Sequence, residues 1–209
     1  AWISMILVAA DLRGQGLGSA VFSHCLGLVK AAGHTAYLDA TPEGEPIYSK
    51  LGFSPVYRLT RWEREASPEA VSAARSAQLP GVETLAALDA QALGTPRCGM
   101  LANFLARPDT ACVQSTEGFA IMRRGRIAHH IGPLLTPDEV SAAELMTRAV
   151  QGLAGTVFID VLDERALLNQ HLRDAGFTPQ RGFMRMMLGN QPLRGQVHFI
   201  HAIAGPEFG

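Results

Sequence analysis

A chain of 209 residues, 47% hydrophobic and 18% charged with net charge −1, has the length for one large domain or two small ones and the balance of a soluble globular protein. That charge gives no electrostatic case for nucleic acid or an anionic membrane as partner, and no apolar run reaches the length of a membrane span. Three scattered cysteines (Cys25, Cys98, Cys112) without a CxxC pair argue against a disulfide framework and a zinc site, and fit a reducing, cytoplasmic setting.

Residues 2–8, Trp2-Ile3-Ser4-Met5-Ile6-Leu7-Val8, are branched and apolar and stop at Ala9-Ala10-Asp11, the pattern of a buried strand. That strand reads as already in mid-course at Ala1, which leads to the expectation that an N-terminal portion is missing. A glycine-rich turn follows, and then Leu17, Ala20, Val21, Leu28 and Val29 recur at helical spacing, with Gly33 placed to end the helix. Residues 35–40 predict a second strand, 46–51 a short helix ended by Gly52, and 53–63 a third strand. Between 64 and 81 the composition shifts to Ala, Ser, Glu and Pro, and Ser67-Pro68-Glu69 predicts a helix start. Helices are expected over 84–93 and 99–107, and a strand over 110–114. A hairpin over 119–131 would carry Arg123, Arg124 and Arg126 at a solvated turn. His129 and His130, neighbours on a strand, point to opposite faces and cannot chelate one metal together; no metal site is expected. Met184, Met186 and Met187 are expected to fill core and strand faces.

The chain also repeats itself. Thr35-Ala36-Tyr37-Leu38-Asp39-Ala40 resembles Thr156-Val157-Phe158-Ile159-Asp160-Val161, and Lys50-Leu51-Gly52-Phe53-Ser54-Pro55 resembles Asp174-Ala175-Gly176-Phe177-Thr178-Pro179. Thirteen residues lead from Asp39 to Gly52 and sixteen from Asp160 to Gly176, a loop-length difference that a shared fold tolerates. Two copies of one strand–helix–strand unit are therefore expected. The recurrence of the aspartate favours a structural role for Asp39.

The chemistry is expected in the first repeat, at Arg13-Gly14-Gln15-Gly16-Leu17-Gly18. Glycines let backbone approach a ligand closely, the helix behind them offers unpaired N–H groups and a positive dipole end, and Arg13 adds a charge-assisted donor. This constellation fits phosphate oxygens. It is not a nucleoside-triphosphate P-loop, because no lysine follows the glycines. Gly14 and Gly16 fit part of a dinucleotide fingerprint, but Ser19 stands where its third glycine belongs; Asp39 as a ribose ligand keeps that reading open.

Arg13, Gly16 and Gly18 also fill the Arg/Gln-x-x-Gly-x-Gly/Ala pattern of coenzyme A acetyltransferases, and Ile47-Tyr48-Ser49-Lys50-Leu51-Gly52-Phe53 supplies Tyr-x-x-x-Gly-Phe after the next strand. On these motifs the first 65 residues resemble the C-terminal half of a Gcn5-related N-acetyltransferase domain. The resemblance implies an α/β fold of two such mixed-sheet domains, divided as 1–65, a linker at 66–80, and 81–209. It implies acetyl-CoA held by Val8, Ala10, Arg13, Gly14, Gln15, Gly16, Leu17, Gly18 and Ser19, with backbone donors near Val8 and Ala10 where the first strand splays from the next. It implies direct acetyl transfer to an amine, with Tyr48 as the general acid; a phenol of pKa about 10 stays protonated at neutral pH. Ile47 and Leu51 are expected to face the core, apart from Tyr48. No general base is evident. The acceptor is expected to be a small-molecule amine rather than a protein amine, and a homodimer is left open. The rival readings are a non-catalytic acyl-CoA binding protein and a nicotinamide dinucleotide oxidoreductase.

The second repeat lacks this chemistry. No glycine occurs between Pro133 and Gln151, Thr136 with Glu139 suggests a capping box, and Leu172 stands where the first repeat has Tyr48. Ile131-Gly132-Pro133-Leu134, Phe158-Ile159-Asp160-Val161, Arg185-Met186-Met187-Leu188-Gly189 and Ile203-Ala204-Gly205-Pro206-Glu207-Phe208-Gly209 give residues 80–209 a resemblance to the C-terminal domain of the YitH acetyltransferase family.

Overall fold

A computed structural model describes residues 1–65, 79–151, 153–189, 191–192 and 194–209. The expected linker helix at Ser67 falls outside the described residues. The elements run α1 (Leu17–Ala31), β1 (Ala36–Ala40), α2 (Glu45–Lys50), β2 (Ser54–Arg64), α3 (Val82–Leu93), α4 (Cys98–Leu105), β3 (Ala111–Gln114), β4 (Phe119–Arg124) and β5 (His129–Leu135). Then come α5 (Glu139–Val150), β6 (Val157–Leu162), α6 (Ala166–Asp174), β7 (Thr178–Leu188) and β8 (Ile200–Ala202). No helix among the described residues is long and apolar enough to cross a membrane.

Two compact units form, and they do not follow chain order. One contains Ala1–Tyr57, Phe183–Pro192 and Pro206–Gly209; the other contains Arg58–Gly182 and Leu193–Gly205. Strands β2 and β7 each have residues in both.

In the first unit β1 pairs antiparallel with the end of β7, from Ala36 opposite Leu188 to Ala40 opposite Met184. Phe22, Leu38, Ala40, Phe53, Met184 and Met186 make its core. Helix α1 ends as expected: Gly33 takes φ 68, its N–H bonds to the Lys30 carbonyl, and the His34 N–H bonds to the Val29 carbonyl. The opening strand expected over 2–8 does not form. A single parallel bridge joins Trp2 to Tyr37, and at Met5 the backbone turns left-handed (φ 57), leaving Leu7 81% exposed. An apolar run becomes a strand only where a partner continues the ladder, and here the partner is lost after one bridge.

The second unit is a mixed sheet in the order β2, β6, β8, β5, β4, β3, with β5 and β6 also paired directly and parallel at His129–Ile131. Trp62, Ile131, Leu134, Leu145, Met146, Val157, Ile159, Leu168 and Leu172 belong to its core. Arg123 is not at the hairpin turn. It lies in β4 with 4% exposure, its guanidinium 4.0 Å from the Phe104 ring centroid and donating to the Ala204 carbonyl. The turn itself spans 125–128 and carries Arg126 exposed as expected, while Arg124 beside it is a solvated charge 3.6 Å from exposed Asp109. Burial of Arg123 follows from β4 running on to Arg124 with both faces covered, so that this side chain meets Phe104 and the Ala204 carbonyl and not the turn.

The repeats exchange their last strands. Strand β2 closes the first repeat in sequence, yet its residues 59–64 pair with β6; β7 closes the second repeat, yet its residues 184–188 pair with β1. Each exchange carries an arginine opposite the repeated aspartate. Arg185 forks onto Asp39 through two bonds of 2.9 Å, and Arg61 forks onto Asp160 through two of 2.8 Å. All four side chains are buried or nearly so, both aspartates at 0% exposure, and a buried carboxylate persists only when paired and hydrogen-bonded.

Candidate functional site

Gly14 and Gly16 both take φ 78 with nothing within 4 Å of where a Cβ would stand, so it is backbone conformation and not crowding that calls for glycine there. Gly16 is the N-cap of α1 and brings no capping side chain, and the first turn holds no acidic residue. Among the described residues no protein acceptor meets the backbone N–H groups of Val8, Ala10 or Gly14 through Ser19. The first intrahelical bond is from Ala20 N–H to the Gly16 carbonyl, 3.0 Å. An exposed helix N-terminus with a run of unspent donors and a positive dipole end is suited to an anion.

Three of the predicted residues meet directly. Exposed Arg13 donates from Nε to the Val8 carbonyl (3.2 Å), and Gly18 packs 3.4 Å from Val8 Cγ2 measured at an ideal Cβ. Ala10 opens a 3-10 turn over Ala10–Leu12, Gln15 reaches back to the Asp11 carbonyl at 3.5 Å, and Leu17 and Ser19 are exposed on the first turn of α1.

Tyr48 joins this group through α1. Its ring centroid lies 5.0 Å from that of Phe22, on α1, and 5.9 Å from that of Phe53. A Cβ on Gly44 would come 3.1 Å from Tyr48 Cε2, so Gly44 leaves the ring its place. The phenol is half-buried, which pushes its pKa above the ordinary value, and its hydroxyl bonds to none of the described residues. Ile47 and Leu51, expected in the core, are instead 58% and 47% exposed. A six-residue helix offers one side to the core, and the aromatic ring of Tyr48 takes it.

Asp39 cannot serve a ribose. Its carboxylate is fully buried with both oxygens engaged by Arg185, so it is out of reach of a ligand and the dinucleotide reading loses its acceptor.

The splay between the parallel segments separates the repeats further. In the first, residues 4–8 make no backbone–backbone hydrogen bond among the described residues, so their groups are left for other partners. In the second, β5 and β6 diverge after Ile131 and Ile159, and β8 enters between them. Leu134 and Val161 both pair with Ala202, Ile203 N–H bonds to the Asp160 carbonyl (3.0 Å), and Thr136 N–H bonds to the Phe199 carbonyl (3.1 Å). A Cβ at Gly132 would overlap the Ile203 carbonyl, so this glycine admits the inserted chain. Arg165 fastens it by donating to the carbonyls of Ile200 (2.9 Å) and Val197 (2.7 Å). Gly132 followed by Pro133 was the only sequence signal of this insertion.

The helix after that splay is self-sufficient, though not by the expected box. Asp138 is the N-cap and accepts from Ser141 N–H (2.9 Å), while Thr136 Oγ1 donates to the Asp138 carbonyl. Glu139 caps a different helix, accepting from the N–H groups of Leu167 and Leu168 at the start of α6. Leu172, in the place of Tyr48, is fully buried.

Two models of the acetyltransferase (GNAT) domain match the chain, one over residues 85–202 and one over 1–63. The uncharacterized N-acetyltransferase YitH of Bacillus subtilis strain 168 is 23% identical over 185 residues, covering 84% of this chain; the chain spans 65% of that relative's length. In fold, the chain is similar to the crystal structure of a candidate acetyltransferase from Pyrococcus horikoshii, with TM-score 0.81 and 24% identity over all of this chain and 72% of that one. A Gcn5-related N-acetyltransferase from Sphaerobacter thermophilus follows with TM-score 0.57 and 14% identity, over 91% of this chain and 73% of the other.

Proposed function

The chain belongs to the acetyltransferase (GNAT) family, and on that premise we propose that its first unit binds acetyl-CoA and transfers the acetyl group to an amine. The observation that carries this reading is the uncapped start of α1, with donors from Gly14 to Ser19 and Arg13 beside them, packed through Phe22 against Tyr48. Bound acetyl-CoA supplies an activated thioester. The chain's part is to hold pyrophosphate oxygens on the N–H groups of Gly14, Gln15, Gly16, Leu17, Gly18 and Ser19, with Arg13 adding charge. Backbone donors at Val8 and Ala10 face the developing negative charge on the carbonyl oxygen. Tyr48, kept protonated by burial, gives its phenolic proton to the leaving thiolate. An acceptor amine of small-molecule size is the reading carried from the sequence.

The second unit, we propose, takes no acetyl-CoA. Its splay is filled by β8, its helix is capped by Asp138, and its Tyr48 counterpart is Leu172.

Calorimetric titration with acetyl-CoA, then turnover on a panel of amines for the native chain and Tyr48→Phe, tests the proposal. One acetyl-CoA per chain with turnover that Tyr48→Phe removes is the expected result. Binding without turnover would leave an acyl-CoA binding protein, and no binding would refute the reading of the loop.

A further inference from the structure

The segment leading into the loop has little of its own to hold it. Its backbone is joined to Tyr37 by two bonds of 2.8 Å, Ile3 N–H to the Tyr37 carbonyl and Tyr37 N–H to the Ala1 carbonyl, and its ladder ends there. Trp2 is nevertheless held by several neighbours. Its ring stacks on Tyr37 with centroids 5.5 Å apart and planes 7° from parallel, and the Arg185 guanidinium lies 4.3 Å from its centroid. Arg185 is itself immobilised by Asp39 and by the Tyr57 hydroxyl, to which it also donates. A pair of this kind, stacked and desolvated, keeps its geometry.

The remaining contacts come from the far end of the chain. Trp2 Nε1 donates to the Pro206 carbonyl at 3.1 Å, and Ser4 Oγ donates to the Glu207 carbonyl at 3.1 Å. Gly209 (φ 83) lies so close to the indole that a Cβ there would stand 2.8 to 3.0 Å from three of its atoms. Four residues beyond Ser4 is Val8, whose carbonyl accepts from Arg13 and whose side chain meets Gly18.

We infer that Pro206–Gly209 is a clamp on Trp2 and Ser4 that positions the segment feeding the acetyl-CoA loop. The inference rests on the proposed reading of that loop. Residues 199–203 fill the splay of the second unit, and the next few residues of the chain hold the opening segment of the first. Cofactor affinity therefore depends on side chains and carbonyls that touch no cofactor, because a site held loosely must be ordered at the cost of binding energy.

The test uses the full chain with Trp2→Phe and Ser4→Ala together, which remove both donors and keep the stacked ring. With both donors gone the segment must be ordered on binding, and acetyl-CoA affinity should fall about tenfold. The KM for acetyl-CoA should rise in step while the KM for the amine holds, a split that general unfolding does not produce. Amide hydrogen exchange of residues 4–13 should quicken while that of β5 and β6 is unchanged. Ser4→Ala alone gives a milder version should the double variant fold poorly. Unchanged affinity in a variant of a chain that binds acetyl-CoA would overturn the clamp, with or without faster exchange. Failure of the native chain to bind would instead overturn the reading of the loop.

Discussion

The two repeats place an aspartate–arginine pair at the same point of the same strand and use the space around it differently. By the bridge that pairs Trp2 with Tyr37 and the ladder that pairs His130 with Phe158, Trp2 and His130 hold equivalent places. In the first repeat the neighbour of the pair is an indole stacked under Arg185; in the second it is a buried imidazole 3.4 Å from Asp160. Fifteen residues lead from Trp2 to the start of α1 and nine from His130 to the start of α5, and the extra length carries the Arg13–Gly18 loop. Where the first repeat leaves backbone groups of its splay unmatched, the second matches them with β8. A binding site and a closed core thus differ, on one topology, in whether the protein satisfies its own polar groups.

Acid should separate the repeats most strongly. His130 and His201, both in the second unit, are pushed down to about 4, chiefly by desolvation. An unfolded histidine takes up a proton near pH 6.5, which these cannot do until about pH 4. Stability is therefore lost as pH falls through that window, on the order of 3 kcal/mol apiece. Denaturant unfolding at pH 7 and pH 4.5 measures it, and His130→Asn with His201→Asn should flatten the profile; a first unit that acidifies equally would erase the contrast.

Removing the aspartate of the second repeat comes next. Asp160→Ala removes the fork that holds Arg61 and should cost about 3–5 kcal/mol, leaving its guanidinium over the Phe158 ring; after Asp39→Ala the Arg185 guanidinium keeps a hydrogen bond to Tyr57 as well as the Trp2 ring, and the loss should be smaller. Equal losses in denaturant unfolding would show that the surroundings of the pair carry no weight. For chemistry, Tyr48→Phe should cut kcat about 100-fold or more with acetyl-CoA affinity unchanged, while Leu172→Phe should leave turnover as it was. Turnover that survives Tyr48→Phe would remove the general acid from the first repeat. The smallest effects concern helix starts: Gly16→Val should weaken acetyl-CoA binding about tenfold without unfolding the second unit. Asp138→Ala should cost about 1 kcal/mol of stability and no affinity. Affinity that responds to Asp138 would merge the two repeats functionally.

Much of the fold was legible because it is written locally. Gly33, Gly52 and Gly176 end their helices in the left-handed conformation that the residue type permits, and the Phe53 N–H to Tyr48 carbonyl bond recurs as Phe177 to Leu172. The Arg13–Gly18 loop and its helix were legible for the same reason. The opening strand was misread because an apolar run carries no notice of how far its partner extends. Arg123 and the Ile47–Leu51 pair were misread because burial is decided by what arrives opposite: Phe104 and the Ala204 carbonyl for the one, the Tyr48 ring for the other.

By itself the sequence determined the strand–helix–strand unit of each repeat, the duplication, the left-handed glycines and the run of donors at the head of α1, since each depends on neighbours a few residues apart. Tertiary structure alone decided that the repeats exchange their last strands, that residues 199–203 close one splay, and that Pro206–Gly209 grips Trp2 and Ser4. These contacts join residues up to 204 positions apart through backbone carbonyls, which every residue carries alike. A carbonyl leaves no mark in the sequence, so only the folded chain shows which one a side chain reaches.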